Sequence, residues 1–345
     1  MNLYVYSTEK ERLGEVRGIS SLQWLEGYRS KQSEVKLVCG ATDSNRTLLQ
    51  YGNLLYNTDR PGLLARIVDT EIDDNAKTAK LTVRAKMTAA CIDDRVVYYT
   101  ETYTNAEKGM LDIVSHNLRG LLLAVAPAKG YAEQSPGQVS WGSVLDAVDS
   151  IASAFGLGYR VTVGPDMAET FEVYKGSDRS VPGSPDYIGF FGKAAGNLDS
   201  IQIKDDKSGV KNVAIVCGQG EGAARRMVEV DLSGGGERRE LYVDARDLAP
   251  ATTGPDGAET TLTDAEYDAL LYARGLAKLA ETAGGLTVKS ELKQSMLLFG
   301  KDYDLGDILP LRVEKHGVNV NVRVIKINLI YEKTKSIKAT LEVVV

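Results

Sequence analysis

The sequence has few of the residues that carry metal or acid–base chemistry: two histidines, His116 and His316, and three cysteines among 345 residues. Zinc sites use several Cys and His ligands, and general acid–base catalysis uses His most often, so neither chemistry is favoured. The cysteines, Cys39, Cys91 and Cys217, are odd in number and far apart. Because Cys39 and Cys217 end apolar stretches, we predict buried strand thiols and neither a disulfide nor a metal site.

A membrane span and a secretory signal are also missing. No apolar run in the sequence approaches the ~20 residues that cross a bilayer. The first residues lack the basic-then-apolar order of a signal peptide. We therefore expect synthesis in the cytoplasm and no membrane insertion by this chain.

An excess of basic residues is lacking as well. Lys and Arg total 41 against 47 Asp and Glu, a net charge of −6. Dedicated nucleic-acid binders normally show a basic excess, so nucleic acid is not predicted as the primary partner. Tyrosine, in contrast, is abundant, with 17 Tyr against 5 Phe. Tyrosine suits half-buried sheet faces and subunit contacts, which favours an interaction protein.

The pattern of apolar residues predicts a chain made mainly of strands. Alternating or β-branched stretches predict strands, and tight-turn residues separate them. The predicted strands are 35–39, 63–69, 81–85, 96–99, 159–163, 170–174, 199–204, 212–217, 226–231, 239–243, 286–292, 308–313, 318–330 and 337–344.

Three stretches have helical spacing instead. Apolar residues recur every three or four positions in 108–125 and in 143–155, where Ser140 or Ser143 could cap the second helix. Thr263 and Glu266 form a capping box that opens a third helix, which ends near residues 284–285. The fold class is therefore α+β, mainly β, with two small β-barrels and inserted α/β modules. The predicted segments are 1–105 (first β-barrel), 106–195 (α/β module), 196–225 with 286–345 (second β-barrel) and 226–285 (inserted strand–helix module).

The glycine-rich segment 218–222 follows an apolar strand, as in a dinucleotide-binding fingerprint. That site needs a helix next, whose N-terminal amides hold the phosphates. Here residues 223–230 continue in strand-like alternation, and the third glycine falls one residue too early. We therefore predict a β-turn that joins two strands, and no cofactor.

Acidic clusters offer the other candidate chemistry. Asp302, Asp304 and Asp307 are spaced like part of a calcium loop but lack its regular oxygen ligands and closing Glu, so a tight turn before strand 308–313 is favoured over a metal site. The pairs at 73–74 and 93–94 are sequence neighbours, which on a strand point to opposite faces, so we predict solvated turn acids. No serine lies in a G-x-S-x-G elbow. No catalytic residue is predicted.

Several segments, taken in order, resemble one family. They are 187–198, the strand and loop through 211–214, 216–226, 237–248 and 303–307, and 81–95 fits the same pattern. This series resembles the siphovirus ReqiPepy-type tail protein family, which is similar to the baseplate hub proteins of long-tailed phages. The residues that carry the resemblance are Gly196, Asn197, Asn212, Gly218, Gly220, Gly222, Arg225, Glu240, Asp244, Asp304, Gly306 and Asp307.

The resemblance implies a phage tail hub fold and a homotrimer located at the virion tail tip after synthesis in the host bacterial cytoplasm. Two barrels per subunit would make a six-fold ring that joins the tail tube and distal tail protein to a three-fold central tail fibre or spike. The tape measure protein, and later DNA in transit, would pass through its channel. The alternatives are a tail-tip cell-wall hydrolase and a receptor-binding or carbohydrate-binding module. The chain ends at Val345 after the closing strands, so we expect any lysin extension elsewhere.

Overall fold

The computed structural model describes residues 1–75, 78–253, 258–282, 284–293 and 296–344, without the side chains at 223 and 253. Strands dominate, which confirms the predicted fold class as mainly β with α/β content. The strands are β1 (Leu3–Tyr6), β2 (Arg12–Glu15), β3 (Ile19–Gly27), β4 (Glu34–Gly40), β5 (Leu54–Asn57), β6 (Leu64–Asn75), β7 (Thr78–Met87), β8 (Glu101–Asn105), β9 (Ala124–Val125), β10 (Gln134–Val139), β11 (Gly158–Val163), β12 (Glu169–Tyr174), β13 (Phe191–Gly192), β14 (Leu198–Asp206), β15 (Val213–Cys217), β16 (Met227–Asp231), β17 (Glu240–Asp244), β18 (Ala251–Thr253), β19 (Glu259–Thr261), β20 (Gly285–Leu292), β21 (Ile308–Val313), β22 (Val318–Tyr331) and β23 (Lys335–Val344). The helices are α1 (Asp43–Leu48), α2 (Ala106–His116), α3 (Val144–Phe155) and α4 (Asp264–Thr282).

The chain divides into two compact units, each made from separated stretches of sequence. The first, here the sheet unit, comprises Met1–Ala90, Gly158–Lys204 and Leu286–Val345. The second, here the helical unit, comprises Cys91–Leu157 and Asp205–Gly285. The division into two barrels and two modules at the predicted boundaries stays a prediction.

One large sheet organises the sheet unit. Its strands follow the order β14-β20-β23-β22-β3-β4-β7-β6-β5-β1-β2, with β21 beside β22 and β13 beside β21. The long strand β22 pairs with β21 through 318–323 and with β3 through 326–331, while β23 lies along its other edge. Strands from the beginning and the end of the chain are therefore hydrogen-bonded into one sheet.

Alternation in the sequence explains how this sheet builds its core. In β4 the buried residues Val35, Leu37 and Cys39 alternate with more exposed ones, because successive strand residues point to opposite faces. Trp24 of β3 lies opposite Val35 and is fully buried. Burial of apolar surface of this kind is worth about 25 cal/mol per Å² and is the main stabilising contribution.

The helical unit packs α4 against the three-stranded sheet β16-β15-β17. Strand β16 is antiparallel and β17 parallel to the central β15. The contact is close at Gly275, where an added Cβ would lie 2.5 Å from Val230 and 2.7 Å from Val216. Elsewhere in this unit α2 contacts α3.

The start signals of two predicted helices are confirmed. Ser143 accepts a hydrogen bond from the Asp146 amide at the start of α3, which ends at Gly156 with a φ of 62°. The Thr263 hydroxyl accepts from the Glu266 amide, and the Glu266 carboxylate accepts from the Thr263 amide, so the capping box that opens α4 is complete. Both signals lie within four residues of sequence, which is why they could be recognised there.

Two predictions near α2 are wrong. The predicted helix 108–125 ends at His116, because Asn117 caps it and the chain then turns through Arg119 and Gly120, with φ values of 37° and 87°. The stretch 96–99 forms no strand beyond a single bridge at Val96, because the Tyr98 amide donates to the Asn117 side chain and not to a neighbouring strand. The short helix α1 was not predicted; the Thr42 side chain caps its start by accepting a hydrogen bond from the Asn45 amide.

Candidate functional site

The sheet unit contains a cleft of about 870 Å³, and one of the residues that line it, Arg60, forms a buried ion pair with Glu26. The Arg60 guanidinium donates to both carboxylate oxygens of Glu26, with Nε–Oε1 of 2.8 Å and Nη2–Oε2 of 2.7 Å. Burial raises the pKa of Glu26, while Arg60 opposes that shift. Arg60 also lies over the Phe299 ring, 4.4 Å from its centroid. Because the Glu26 side chain is 3% exposed and both of its carboxylate oxygens are bonded to Arg60, we interpret Glu26 as a structural carboxylate.

Asp304 and Asp307 hold the turn before β21 in place. Asp304 accepts a hydrogen bond from Arg60 at 3.2 Å. The buried Asp307 carboxylate accepts from the Ser177 amide and from Arg179 Nε, both at 2.7 Å. The tight turn predicted here is confirmed, because the Asp307 amide donates to the Asp304 carbonyl at 3.2 Å and Gly306 between them has a φ of 88°. A side chain at Gly306 would also meet the Tyr28 ring at 2.4 Å.

Asn197 organises a second turn of the sheet unit. Its buried side chain accepts from the Gly192 amide and donates to the Phe190 carbonyl, both at 2.9 Å. Gly196, with a φ of 68°, makes the turn that precedes it. Asn197 and Gly196 therefore fix the backbone that enters β14 and do not face the cleft as ligands.

Several of the charged residues that line the cleft form ion pairs. Lys335 donates to Asp59 at 2.6 Å, and Lys293 lies 3.2 Å from Asp199. Arg160 donates to Glu172 at 2.7 Å. These pairs reduce the net charge that the cleft presents to a nucleotide or a metal ion.

In the helical unit the glycine-rich loop joins β15 to β16, which confirms the predicted connection between two strands. Gly220 and Gly222 have φ values of 101° and 55°, which other residues rarely adopt. Arg225 closes the loop: its Nε donates to the Gly218 carbonyl at 3.0 Å and its Nη2 to Asp244 at 3.1 Å. The carbonyl groups at the start of the loop thus accept hydrogen bonds from a side chain of the protein itself, that of Arg225.

Asn212 and Glu240 belong to the edge of the same sheet. Asn212 donates to the Glu237 carbonyl at 2.8 Å and accepts from the Arg239 amide at 2.7 Å. Glu240 accepts from Arg238, whose pKa is raised by its hydrogen bonds to Glu229 and Glu240. The residues that carry the family resemblance therefore lie at turns and strand ends in both units, and the contacts described for them are with other residues of the chain.

The cysteines and histidines take the positions expected of them. Cys39 and Cys217 are buried in strands and no cysteine is in a disulfide; burial raises the pKa of the Cys39 thiol to about 11. His116 ends α2 and His316 lies in a short turn. Within the described ranges no group of Cys, His, Asp and Glu could hold a metal ion. No helix in the described part of the chain is long and apolar enough to cross a membrane.

Sequence reasoning missed an exposed aromatic cluster in the helical unit, formed by Tyr98, Tyr99 and Trp141. The rings of Tyr98 and Trp141 meet edge to face with centroids 5.7 Å apart. A count of tyrosines had indicated an interaction protein, but nothing local placed these three together. Their contacts depend on chain segments more than forty residues apart.

Three solved structures that share this fold are described as tail proteins. The chain is similar to a tail protein from Neisseria meningitidis MC58 (12% identity, 99% of this chain and 96% of that one, TM-score 0.64). It is also similar to the 43 kDa tail protein of prophage MuSo2 from Shewanella oneidensis (11%, 100% and 98%, 0.63). A third is prophage tail protein gp18 from Listeria monocytogenes EGD-e (15%, 99% and 94%, 0.55). No curated protein sequence matches the chain.

The chain therefore has the fold of these tail proteins. The family described as Siphovirus ReqiPepy6 Gp37-like protein matches residues 2–343. The chain belongs to this family, as the sequence resemblance predicted.

Proposed function

We propose that three copies of the chain form a ring at the tail tip, which joins the six-fold tail tube and distal tail protein to a three-fold central fibre or spike. The observation that carries the proposal is family membership across residues 2–343, together with a fold shared over nearly the full length of prophage tail proteins. In this role the chain acts by binding neighbours and by surrounding a channel.

The sheet of the sheet unit supports ring formation. Its end strands, β2 and β14, each pair with a single neighbouring strand of this sheet among the described strands, so both are edge strands. Such edges can accept a strand from another chain. Because the two edges differ in sequence, a contact between them is head-to-tail, the kind that closes into a ring.

The charge of the chain is consistent with a channel. DNA that moves through a ring must not be held by arrays of Lys and Arg, whose phosphate contacts give strong, salt-dependent binding. The chain carries a net charge of −6, and Lys293 and Lys335 of the cleft are each paired with a neighbouring acid. The tape measure protein and DNA would therefore pass without strong retention.

The polar clusters support a non-enzymatic role. A glycosidase needs two carboxylates that are free to exchange protons with a substrate or water. Both carboxylate oxygens of Glu26 accept hydrogen bonds from Arg60. The Asp307 carboxylate accepts hydrogen bonds from the Ser177 amide and from Arg179. Neither cluster leaves a carboxylate of that kind open, which weighs against the tail-tip hydrolase.

Assembly with a tail partner tests the proposal. The purified chain, alone and mixed with the distal tail protein of the same phage or prophage, should yield three-fold particles by electron microscopy. A chain that stays monomeric and fails to join the distal tail ring at any concentration contradicts the ring. Zymography on host cell wall is the parallel test: clearing that a single carboxylate substitution abolishes would favour the hydrolase.

A further inference from the structure

The exposed aromatic cluster of the helical unit, here called the knob, places three aromatic side chains together at the surface. Tyr98, Tyr99 and Trp141 are 51%, 42% and 69% exposed. The two tyrosine rings meet edge to face with centroids 5.0 Å apart, and Trp141 packs on Tyr98. Contiguous exposed apolar groups of this kind mark interaction sites.

The knob is held in place by its backbone. Trp141 has a φ of 60°, a left-handed conformation that is unfavourable for any residue with a Cβ. Hydrogen bonds keep it there: the Trp141 amide donates to the Val97 carbonyl and the Val97 amide to the Gly142 carbonyl, both at 2.8 Å. The Tyr98 amide donates to Asn117 Oδ1 at 3.1 Å. A strained, pre-ordered and exposed tryptophan is typical of a binding anchor, because little freedom is lost on docking.

The same unit also has a shallow apolar depression of about 740 Å³, here called the hollow. Met227, Tyr272 and Leu276 line it and are 62%, 43% and 38% exposed. Between them lie small residues of α4, Ala269 and Ala273, which leave room for a ring. The hollow is thus an apolar surface with space for an aromatic side chain.

The knob and the hollow lie at opposite ends of strand β10. Gln134 and Pro136, at its beginning, line the hollow, whereas Trp141 follows its last residue, Val139. Six strand residues span roughly 17 Å at ~3.3 Å each. A subunit therefore cannot place its own knob in its own hollow, but a second copy can.

We propose that the knob of one copy docks in the hollow of the next copy around the ring. This inference rests on the proposed function and names a contact that would hold the trimer together. The contact joins two different surfaces, so it is head-to-tail and can close on itself. Aromatic side chains bury about 150–250 Å² each, so three half-exposed ones offer roughly 300 Å². A standard interface needs about 800 Å² per partner, so the knob is the anchor of the interface and not the whole of it.

Truncation of the knob tests the contact. Trp141→Gly removes the ring and suits the left-handed backbone, and Tyr98→Ala is a second variant in case the first misfolds. Each should raise the concentration at which half of the protein is trimeric by roughly 30-fold, as for a central aromatic anchor. The matched control is Tyr51→Ala, which removes an isolated tyrosine of the sheet unit that is 80% exposed and should leave the trimer unchanged.

Mixing two variants identifies the partner surface. Leu276→Arg blocks the hollow and keeps the knob, while Trp141→Gly keeps the hollow. Equal amounts of the two retain one intact contact, so native mass spectrometry should show heterodimers that neither variant forms alone. Folded variants that trimerise as the wild type does would overturn the contact while leaving the ring intact. If the variants still form trimers but no longer bind whole host cells, the contact between copies is overturned in favour of a receptor-binding surface. A wild-type protein that is monomeric contradicts both the contact and the ring.

Discussion

Arg60 and Glu26 form a bidentate ion pair between a loop and the end of β3, 34 residues apart in sequence. Both side chains are almost fully buried. Removing one partner leaves the other charge unpaired in the protein interior, which is far more costly than losing a surface pair.

Glu26→Gln should therefore lower the free energy of unfolding by about 3 kcal/mol. Urea unfolding followed by tryptophan fluorescence measures the change. The combined change Glu26→Leu with Arg60→Met, which removes both charges, should cost less than the sum of the two single changes. Glu240→Gln, at an exposed pair with Arg238, is the control and should stay within about 0.5 kcal/mol. Equal losses at Glu26 and Glu240 would show that burial of the first pair is unimportant.

Asn197→Ala should destabilise the protein by about 1–3 kcal/mol, because it leaves the buried Gly192 amide and Phe190 carbonyl without partners. Asn319→Ala, at an exposed position of β22, is the matched control. Thermal unfolding of the two variants provides the comparison. If Asn197→Ala has the same melting temperature as the wild type, the turn that enters β14 does not depend on this side chain.

Asp59 should make stability depend on acid pH. Although burial alone would raise the pKa of Asp59, hydrogen bonds from Lys335 and Tyr331 lower it below its usual value. The folded protein thus binds this proton more weakly than the unfolded chain, so the stabilisation is present above pH ~4 and is lost as pH falls through the folded pKa. Asp59→Asn should flatten the curve of melting temperature against pH between about pH 4 and pH 2. If the melting temperature of Asp59→Asn falls with acid pH as steeply as that of the wild type, Asp59 is not the source of this pH dependence.

Gly275→Ala should destabilise the helical unit, although alanine favours helices. The added methyl would press on Val230 and Val216 at 2.5 and 2.7 Å, and overpacking of this kind costs about 1–3 kcal/mol. Gly209→Ala, where nothing lies within 4 Å, is the control. Denaturant unfolding of both variants decides the matter: a more stable Gly275→Ala would mean that α4 does not sit this close to the sheet.

Features encoded locally could be predicted from the sequence, and features encoded by distant contacts could not. Ser143 and the pair Thr263 and Glu266 mark helix starts through bonds within three residues. The end of α2 was missed because Asn117 serves two segments, donating to Ile113 and accepting from Tyr98. The ion pair of Glu26 and the knob could not be predicted for the same reason, because each forms only when distant segments of the chain come together.

The number of copies in the assembly tests directly whether the chain forms a trimeric ring. Mass photometry or native mass spectrometry over a concentration series, with and without the distal tail protein, reports the mass of the assembly. We predict a species of three times the 37.4 kDa chain mass, whose share grows with concentration and which the distal tail ring stabilises. A strict monomer under all these conditions, or a closed assembly of another number, would contradict it.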